Sequence, residues 1–300
     1  MGSLPEICIM AEIRVAIVNA FTTDSGGGNP AGVVLDADGL DAAARQKVAA
    51  AVGLSETAFI GRSDEPTVRM EFYTPNRPIA DCGHATVATF GYLRGLGRLG
   101  DGVHRKEIAS GVQPVRIDGE LTFMGQRRPE LTGLDALGMA PGDVAALLGL
   151  PRAALGAVAP AVVDNGVRFL ALWLGDAADL AAARPDQAAI EALSERLDLI
   201  GVYAGAPPVA AGTVATARMF APRYGIPEES ATGMGAGTLA ALLHARGVVA
   251  ADRFVIEQGR YMDPPAPSLI KVELDIQGGA LAAVHVGGRV RVMREMTVTV

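Results

Sequence analysis

Two stretches of this sequence decide its fold: Phe72-Tyr73-Thr74-Pro75 followed by Cys82-Gly83-His84-Ala85, and Met219-Phe220-Ala221-Pro222 followed by Thr232-Gly233-Met234-Gly235. Each pattern is typical of a strand, a proline-marked turn and the glycine-rich start of a helix. The step from the proline to the Cys or Thr is 7 positions in the first copy and 10 in the second, so three added loop residues account for the difference. The two sites lie 150 residues apart, half the length of the chain. The sequence therefore indicates an internal repeat with one such helix start in each half.

Around this repeat, strand patterns outnumber helix patterns. Strands are predicted at residues 13–18, 31–35, 57–60, 68–73, 112–117, 120–124, 158–163, 169–174, 199–203, 214–220, 254–257, 269–274, 282–286 and 289–293. Helices are predicted at residues 41–52, 85–93, 142–148, 185–197 and 235–245. The fold class is therefore α+β with two related lobes. We place the N-terminal lobe at residues 13–125 and the C-terminal lobe at 126–285, with a final strand at 286–300 returning to the N-terminal lobe.

Composition excludes several classes of protein. The chain has 300 residues, half of them hydrophobic, which is enough to bury a large core. A formal charge of −7 without a basic run argues against a nucleic-acid partner. Cys8 and Cys82 are its two cysteines, too few for a disulfide scaffold and typical of a reducing cytoplasm. No apolar stretch is long enough for a bilayer and no export signal is present, so a cytoplasmic protein without a membrane partner is expected.

The two helix starts predict a particular kind of binding site. A helix that begins at glycine presents unpaired N–H groups and the positive end of its dipole, and glycine lets a ligand come close. Such a start suits a carboxylate or a phosphate. Two of them facing each other across a cleft would hold a small anionic metabolite and stabilise an enolate-like charge.

A longer series of motifs resembles one protein family. The motifs are Asn29-Pro30-Ala31, Leu54-Ser55-Glu56-Thr57, Tyr73-Thr74-Pro75, Cys82-Gly83-His84-Ala85-Thr86, Phe220-Ala221-Pro222, Ala231-Thr232-Gly233, Glu257-Gln258-Gly259, Pro267-Ser268 and Val286-Gly287-Gly288. Their order over residues 13–300 is similar to that of the PhzF-like family of phenazine biosynthesis. The resemblance implies the diaminopimelate-epimerase-like fold: two pseudo-symmetric lobes, each a β-sheet or barrel around a central helix, with the active site between them. It also implies a homodimer and a cofactor-independent isomerase that moves a proton around a dihydro-hydroxyanthranilate ring.

The same resemblance implies roles for individual residues. Glu56 matches the family's proton-shuttling acid/base, a role that suits a carboxylate in an apolar cleft. His84 would orient substrate or relay protons, and Glu229 aligns with an aspartate of the second loop. With Cys82, these four residues are the predicted catalytic set. Substrate binding is expected from Asn29, Gly83, Ala85, Thr232, Gly233 and Met234.

Departures from related enzymes leave alternatives open. Related amino-acid racemases use one cysteine from each lobe, whereas this chain pairs Cys82 with Thr232, a far weaker acid. An epimerase, racemase or dehydratase that uses Cys82 with a carboxylate is the second hypothesis, and a small-molecule binding protein on the same fold is the third. Asp81, where an apolar residue is usual, either pairs with a substrate ammonium group or points to solvent.

Searches for cofactor and metal motifs find none. Ser25-Gly26-Gly27-Gly28 lacks the Gly-Lys-Ser/Thr that follows in a phosphate loop. No dinucleotide fingerprint follows a strand, and the four histidines have no metal-ligand spacing. The expectation is an enzyme with neither cofactor nor metal.

Overall fold

The computed structural model describes residues 12–62 and 67–300. Cys8 lies outside the described residues. The strands of the first half are β1 (Glu12–Ala20), β2 (Asn29–Val34), β3 (Thr57–Gly61), β4 (Thr67–Tyr73), β5 (Pro78–Ile79), β6 (Gly102–Ile108), β7 (Gly111–Asp118) and β8 (Leu121–Gln126). Those of the second half are β9 (Glu130–Gly133), β10 (Ala161–Asp164), β11 (Arg168–Trp173), β12 (Gly201–Ala206), β13 (Ala215–Ala221), β14 (Ile226–Glu229), β15 (Arg253–Gln258), β16 (Ser268–Gln277) and β17 (Ala280–Thr299).

The helices are α1 (Ala42–Val52), α2 (Gly83–Gly95), α3 (Pro141–Ala146), α4 (Ala177–Ala182), α5 (Gln187–Leu197) and α6 (Gly233–Ala245), with short 3-10 turns at Ala37–Gly39, Leu134–Leu137, Arg152–Ala154 and Pro222–Tyr224. Local signals explain where α1 begins and ends. The Asp41 carboxylate accepts the Ala44 N–H at 2.8 Å, and Gly53 ends the helix in the left-handed region at φ 68°. No helix in the described part of the chain has the length and apolar character needed to cross a membrane.

The two halves repeat the same order of strand pairing. In the first half β1 pairs antiparallel with β2, β2 runs parallel to β3, β3 is antiparallel to β4, β4 is parallel to β6, and β7 and β8 follow antiparallel. In the second half β10, β11, β12, β13, β15, β16 and β17 pair in the same directions in the same order. The predicted α+β fold with two pseudo-symmetric lobes is confirmed. The two glycine-rich helix starts of the repeat are the N-termini of α2 and α6.

Strands β8 and β17 belong to both ladders and close each of them into a barrel. β17 pairs with β16 over its first residues, with β8 from Val284 to Arg289, and with β1 from Val290 to Thr299. β9 continues from β8 and pairs with β10. Because two strands serve both barrels, the lobe boundaries at residues 125 and 285 stay a proposal.

The predicted break between residues 286 and 289 is wrong, because β17 runs through it as one strand. The two glycines there do not form a turn. They allow neighbouring chain segments to pack closely against the strand. A Cβ at Gly287 would lie 2.3 Å from the Thr122 carbonyl oxygen, and one at Gly288 would lie 2.9 Å from the ring of Phe21. β6 is not predicted either, since four consecutive polar or charged residues, His104 to Glu107, hide any alternation with apolar residues.

The central helices α2 and α6 are buried along most of their length and contact the strands of their own barrel. Small residues let α6 fit. A Cβ at Gly235 would lie 2.2 Å from the Tyr203 ring, and one at Gly237 would lie 1.9 Å from the Gln126 amide. The largest apolar cluster joins side chains of both helices, including Phe90 and Leu239. The two barrels therefore share a core, and their helices start at a common place.

Candidate active site

The N-termini of α2 and α6 meet between the barrels. Cys82 and Thr232 occupy the N-cap positions in extended conformations, and neither side chain makes a capping hydrogen bond. The Cβ position of Gly83 lies 3.8 Å from Cγ of Met234, so the two first turns are in contact. Unpaired N–H groups and two positive dipole ends are thus brought to one place, which favours a bound anion.

Three predicted catalytic residues of the first lobe surround the α2 start. Glu56 immediately precedes β3, and its Oε2 lies 3.3 Å from Nε2 of His84. The contact lacks hydrogen-bond geometry, and both atoms are buried without a hydrogen-bond partner among the described residues. On the other edge of the imidazole, Nδ1 lies 3.5 Å from Sγ of Cys82. Burial, and next the Glu56 carboxylate, raise the pKa of Cys82 well above its usual range, so the group is a thiol at neutral pH.

Glu229, the carboxylate of the second lobe, has partners on both oxygens. Asn29 donates from Nδ2 to Oε1 at 2.9 Å, and the Thr232 hydroxyl donates to Oε2. The same Asn29 amide donates to the Ala231 carbonyl at 2.9 Å, which ties a strand of the first lobe to the loop of the second. Burial raises the pKa of Glu229, while the nearby His84, 3.9 Å away, opposes that rise.

Gln258 at the end of β15 anchors the α6 start from behind. Its Oε1 accepts the Thr232 N–H at 3.0 Å and the Tyr203 hydroxyl at 2.8 Å. Its Nε2 donates to the Glu229 carbonyl at 2.7 Å and to the Thr232 hydroxyl at 3.2 Å. The Gln258 amide holds the N-cap residue Thr232 by its peptide N–H and by its hydroxyl group. The N–H groups of the first turn of α6 therefore stay available to a ligand.

Asp81 has a partner within the protein that the sequence does not predict. Its Oδ1 accepts the Cys82 N–H at 2.7 Å and a hydrogen bond from Nζ of Lys106, a lysine on β6. The Lys106 side chain is 0% exposed and that of Asp81 is 32% exposed. A buried lysine of the protein is therefore one partner of Asp81, and part of its side chain also faces solvent, while pairing with a substrate ammonium group stays a prediction.

The predicted binding residues lie around the same two helix starts. Gly83 and Ala85 are in the first turn of α2, and Thr232, Gly233 and Met234 are at the start of α6. The carbonyl of Gly233 accepts from Gln126 at 3.0 Å and that of Met234 from Asn165 at 3.1 Å. Their catalytic and binding roles stay predictions.

Sequence reasoning missed four polar residues of this site: Lys106, Gln126, Asn165 and Gln258. Gln258 stands in a motif of the family resemblance, so its position was visible although its contacts were not. The other three come from strands or loops distant in sequence, and no local pattern marks them.

Glu56, Cys82 and His84 also bring atoms of metal-ligand type within 4.8 Å of one another. The two imidazole nitrogens face different groups, Nε2 towards Glu56 and Nδ1 towards Cys82 and Glu229. One ion could therefore use only one side of the cluster, and two helix starts favour negative rather than positive charge there. The prediction of a site without a metal stays a prediction.

Paired barrels around central helices, with carboxylates gathered at the helix starts between them, define a protein of the diaminopimelate-epimerase-like fold. The chain belongs to the phenazine biosynthesis-like protein family, PhzC-PhzF, which it matches over residues 18–295. An isomerase of Deinococcus radiodurans, itself uncharacterized, is 37% identical over 94% of this chain and 93% of its own length. The trans-2,3-dihydro-3-hydroxyanthranilate isomerase of Pseudomonas aeruginosa is 30% identical over 92% of this chain and 95% of its own.

Solved structures agree on the fold. The PhzF-family protein of Bacillus anthracis superimposes with a TM-score of 0.88 at 24% identity, over 97% of this chain and all of that one. A hydroxyproline epimerase of Agrobacterium vitis superimposes with a TM-score of 0.61 at 15% identity, over 97% of this chain and 92% of that one. The relatives, which are named isomerases and match over most of the chain, make the chain an isomerase rather than the binding protein that the sequence left open.

Proposed function

We propose that this isomerase moves a proton between two carbon atoms of a small carboxylate-bearing metabolite, without a cofactor, in the cleft between the lobes. Glu56 is the acid/base. The observation that carries the proposal is that Oε2 of Glu56, although 3.3 Å from His84, is buried and has no hydrogen-bond partner among the described residues. A buried carboxylate oxygen without a partner is costly unless a ligand or a proton uses it.

The helix starts supply the binding energy and the charge stabilisation. The substrate carboxylate would accept N–H groups from the first turns of α2 and α6. When a carbon acid next to a conjugated system loses its proton, the negative charge spreads towards the carboxylate. The same N–H groups and dipole ends then stabilise this added charge more strongly than they stabilise the substrate before it loses its proton.

A single base fits a transfer on one face of the substrate. Glu56 would take the proton from one carbon and, as the acid, return it to another carbon on the same face. His84, 3.3 Å from Glu56, is placed to hold the carboxylate and to contact a substrate hydroxyl or amino group. Because the proton stays on one shielded group, the same proton would reach the product in a fraction of turnovers. In the remaining turnovers it would exchange with solvent first.

Other groups are less suited to be the base. Both oxygens of Glu229 accept hydrogen bonds from the protein, which supports a role in holding Asn29 and the α6 start. The raised pKa of Cys82 keeps its sulfur protonated, and Thr232 offers no second thiol. These observations favour isomerisation over epimerisation through Cys82. A homodimer and a small anionic substrate remain part of the proposal.

The test is proton exchange in D2O followed by NMR. The wild type is incubated with amino, hydroxy and dihydroaromatic acids, including trans-2,3-dihydro-3-hydroxyanthranilate, and the C–H signals are recorded. We expect turnover of a conjugated acid with incomplete solvent incorporation, and a loss of about 10³-fold in Glu56→Gln. Glu273→Gln, which changes a half-buried carboxylate on β16 that pairs with Arg116, is the control. Unchanged exchange in Glu56→Gln would contradict the mechanism, and a wild type inert towards the whole panel would contradict a carboxylate substrate.

A further inference from the structure

Lys106 is a charged side chain buried beside the active site that the mechanism above does not use. Its ammonium group donates to Asp81 Oδ1 and to the Thr86 hydroxyl, the latter at 3.2 Å, and lies 5.8 Å from the centre of the Phe72 ring. The side chain is completely buried. A buried ion pair adds little to stability compared with a well-packed apolar pair, so stability alone does not account for this one.

The ammonium group connects to both ends of one residue, the N-cap Cys82. On one side, Asp81 Oδ1 accepts from Lys106 and also accepts the Cys82 N–H at 2.7 Å. On the other side, Thr86 accepts from Lys106 and donates its hydroxyl hydrogen to the Cys82 carbonyl at 2.7 Å. We call this arrangement of Asp81, Thr86 and Lys106 the α2 clamp.

In the second lobe, the N-cap residue of α6 is held by the same arrangement of hydrogen bonds, but from uncharged side chains. In each lobe one side-chain oxygen accepts the N–H of the N-cap residue together with a hydrogen bond from a second, buried donor. For α2 the oxygen is Asp81 Oδ1 and the donor is Lys106, whereas for α6 they are Gln258 Oε1 and the Tyr203 hydroxyl. Lys106 lies on β6 and Gln258 on β15, and these two strands occupy equivalent places in the two ladders.

We propose that Lys106 is a positioning residue: through the α2 clamp it fixes the Cys82 peptide, and with it the direction of the first-turn N–H groups and the place of His84. The clamp acts from behind the helix start, so no side chain occupies the N–H groups that the substrate needs. This inference rests on the proposed function for its effect on turnover, while its effect on the α2 start can be measured without a substrate.

The experiment compares three variants. Lys106→Met removes the ammonium group, the double variant Asp81→Asn/Lys106→Met removes both charges, and Arg45→Met is the matched control. Arg45 on α1 forms an ion pair with Glu71 that is also partly buried, and its hydrogen bonds lead to Glu71 on β4 and to the Ala37 carbonyl of the turn before α1, not to α2. Melting temperature, kcat and KM in the D2O exchange assay, the pH titration of the His84 ring signals, and the rate at which iodoacetamide alkylates Cys82 are measured for each.

We expect Lys106→Met to lower the melting temperature because it leaves a carboxylate without its charged partner, and the double variant to recover most of that loss. In both variants kcat should fall about 100-fold, and this fall should exceed the rise in KM. The reason is that the first-turn N–H groups of α2 no longer point correctly at the transition state. The His84 titration and the Cys82 alkylation rate should change in both, and Arg45→Met should alter neither.

A folded double variant with the kcat of the wild type, an unchanged His84 titration and an unchanged alkylation rate would overturn the proposal. A fall in kcat that is fully explained by the unfolded fraction of the variant would also overturn the proposal. If the wild type turned over no acid of the panel, the proposed function would fail, and the His84 titration and Cys82 alkylation would still decide whether the clamp positions α2.

Discussion

The starts of α2 and α6 have the same geometry, but their carboxylate side chains differ in how they are hydrogen-bonded. At the α2 start, Oε2 of Glu56 and Nε2 of His84 face each other without a hydrogen-bond partner in the described part of the chain. At the α6 start, both oxygens of Glu229 accept hydrogen bonds. Unsatisfied polar atoms are available for reaction, whereas satisfied ones hold a structure in place. On the proposed function, the duplicated lobe keeps its anion-binding start while proton chemistry is concentrated on one side.

The largest expected effect comes from exchanging the two carboxylates for amides one at a time. Glu56→Gln removes the base and should lower proton exchange about 10³-fold. Glu229→Gln weakens hydrogen bonds to Asn29 and Thr232 and should lower it about tenfold. Steady-state exchange rates in D2O measure both. Equal losses in the two variants would contradict the division of labour between the lobes.

A second effect concerns one of the positions that differ in size between the helices, Ala85 in α2 and Gly235 in α6. A methyl group at Gly235 would collide with the buried Tyr203 ring, so Gly235→Ala should destabilise the protein by about 2 kcal/mol. Ala85→Gly removes a methyl group and adds backbone freedom, which should cost about 1 kcal/mol. Urea unfolding followed by circular dichroism gives both values, and a stable Gly235→Ala would show that α6 can shift within its barrel.

A third effect is the pH dependence of stability at the α6 start. Burial raises the pKa of Glu229, so the folded protein holds this proton more tightly than the unfolded chain does. The resulting stability is complete below the unfolded pKa and is lost as the pH rises through the folded pKa. Glu229→Gln should therefore melt higher than the wild type at pH 8, with the advantage disappearing or reversing towards pH 4. The exposed Glu191→Gln on α5 serves as the control, and a melting temperature offset that does not vary with pH would refute the prediction.

The smallest expected effect is that of the thiol at the α2 start. Since burial keeps Cys82 protonated, Cys82→Ala should change proton exchange less than about threefold. Iodoacetamide should react with Cys82 slowly at pH 7 and faster as the pH rises. A loss of two orders of magnitude in Cys82→Ala would instead support epimerisation through this residue.

The sequence predicted those features that are encoded locally or twice. Asp41 and Gly53 mark the ends of α1, and the repeated proline and glycine positions led to the paired lobes. The path of β17 was missed because glycines at 287 and 288 look like a turn, although they are needed for close contacts with distant chain segments. Lys106 was missed for a related reason. Its role depends on partners 20 and 25 residues away, which only the closed barrel brings together.

The sharing of β17 between barrels has a consequence for how the chain folds as it is made. β1, the first strand of the described chain, pairs along its length with residues 290–299, at the other end of the sequence. The N-terminal barrel therefore stays open on one side until residues 290–299 have been synthesised. Pairing over such a separation in sequence is slow and leaves a strand edge exposed until it forms. The two lobes are thus completed together, in one late step, rather than one after the other.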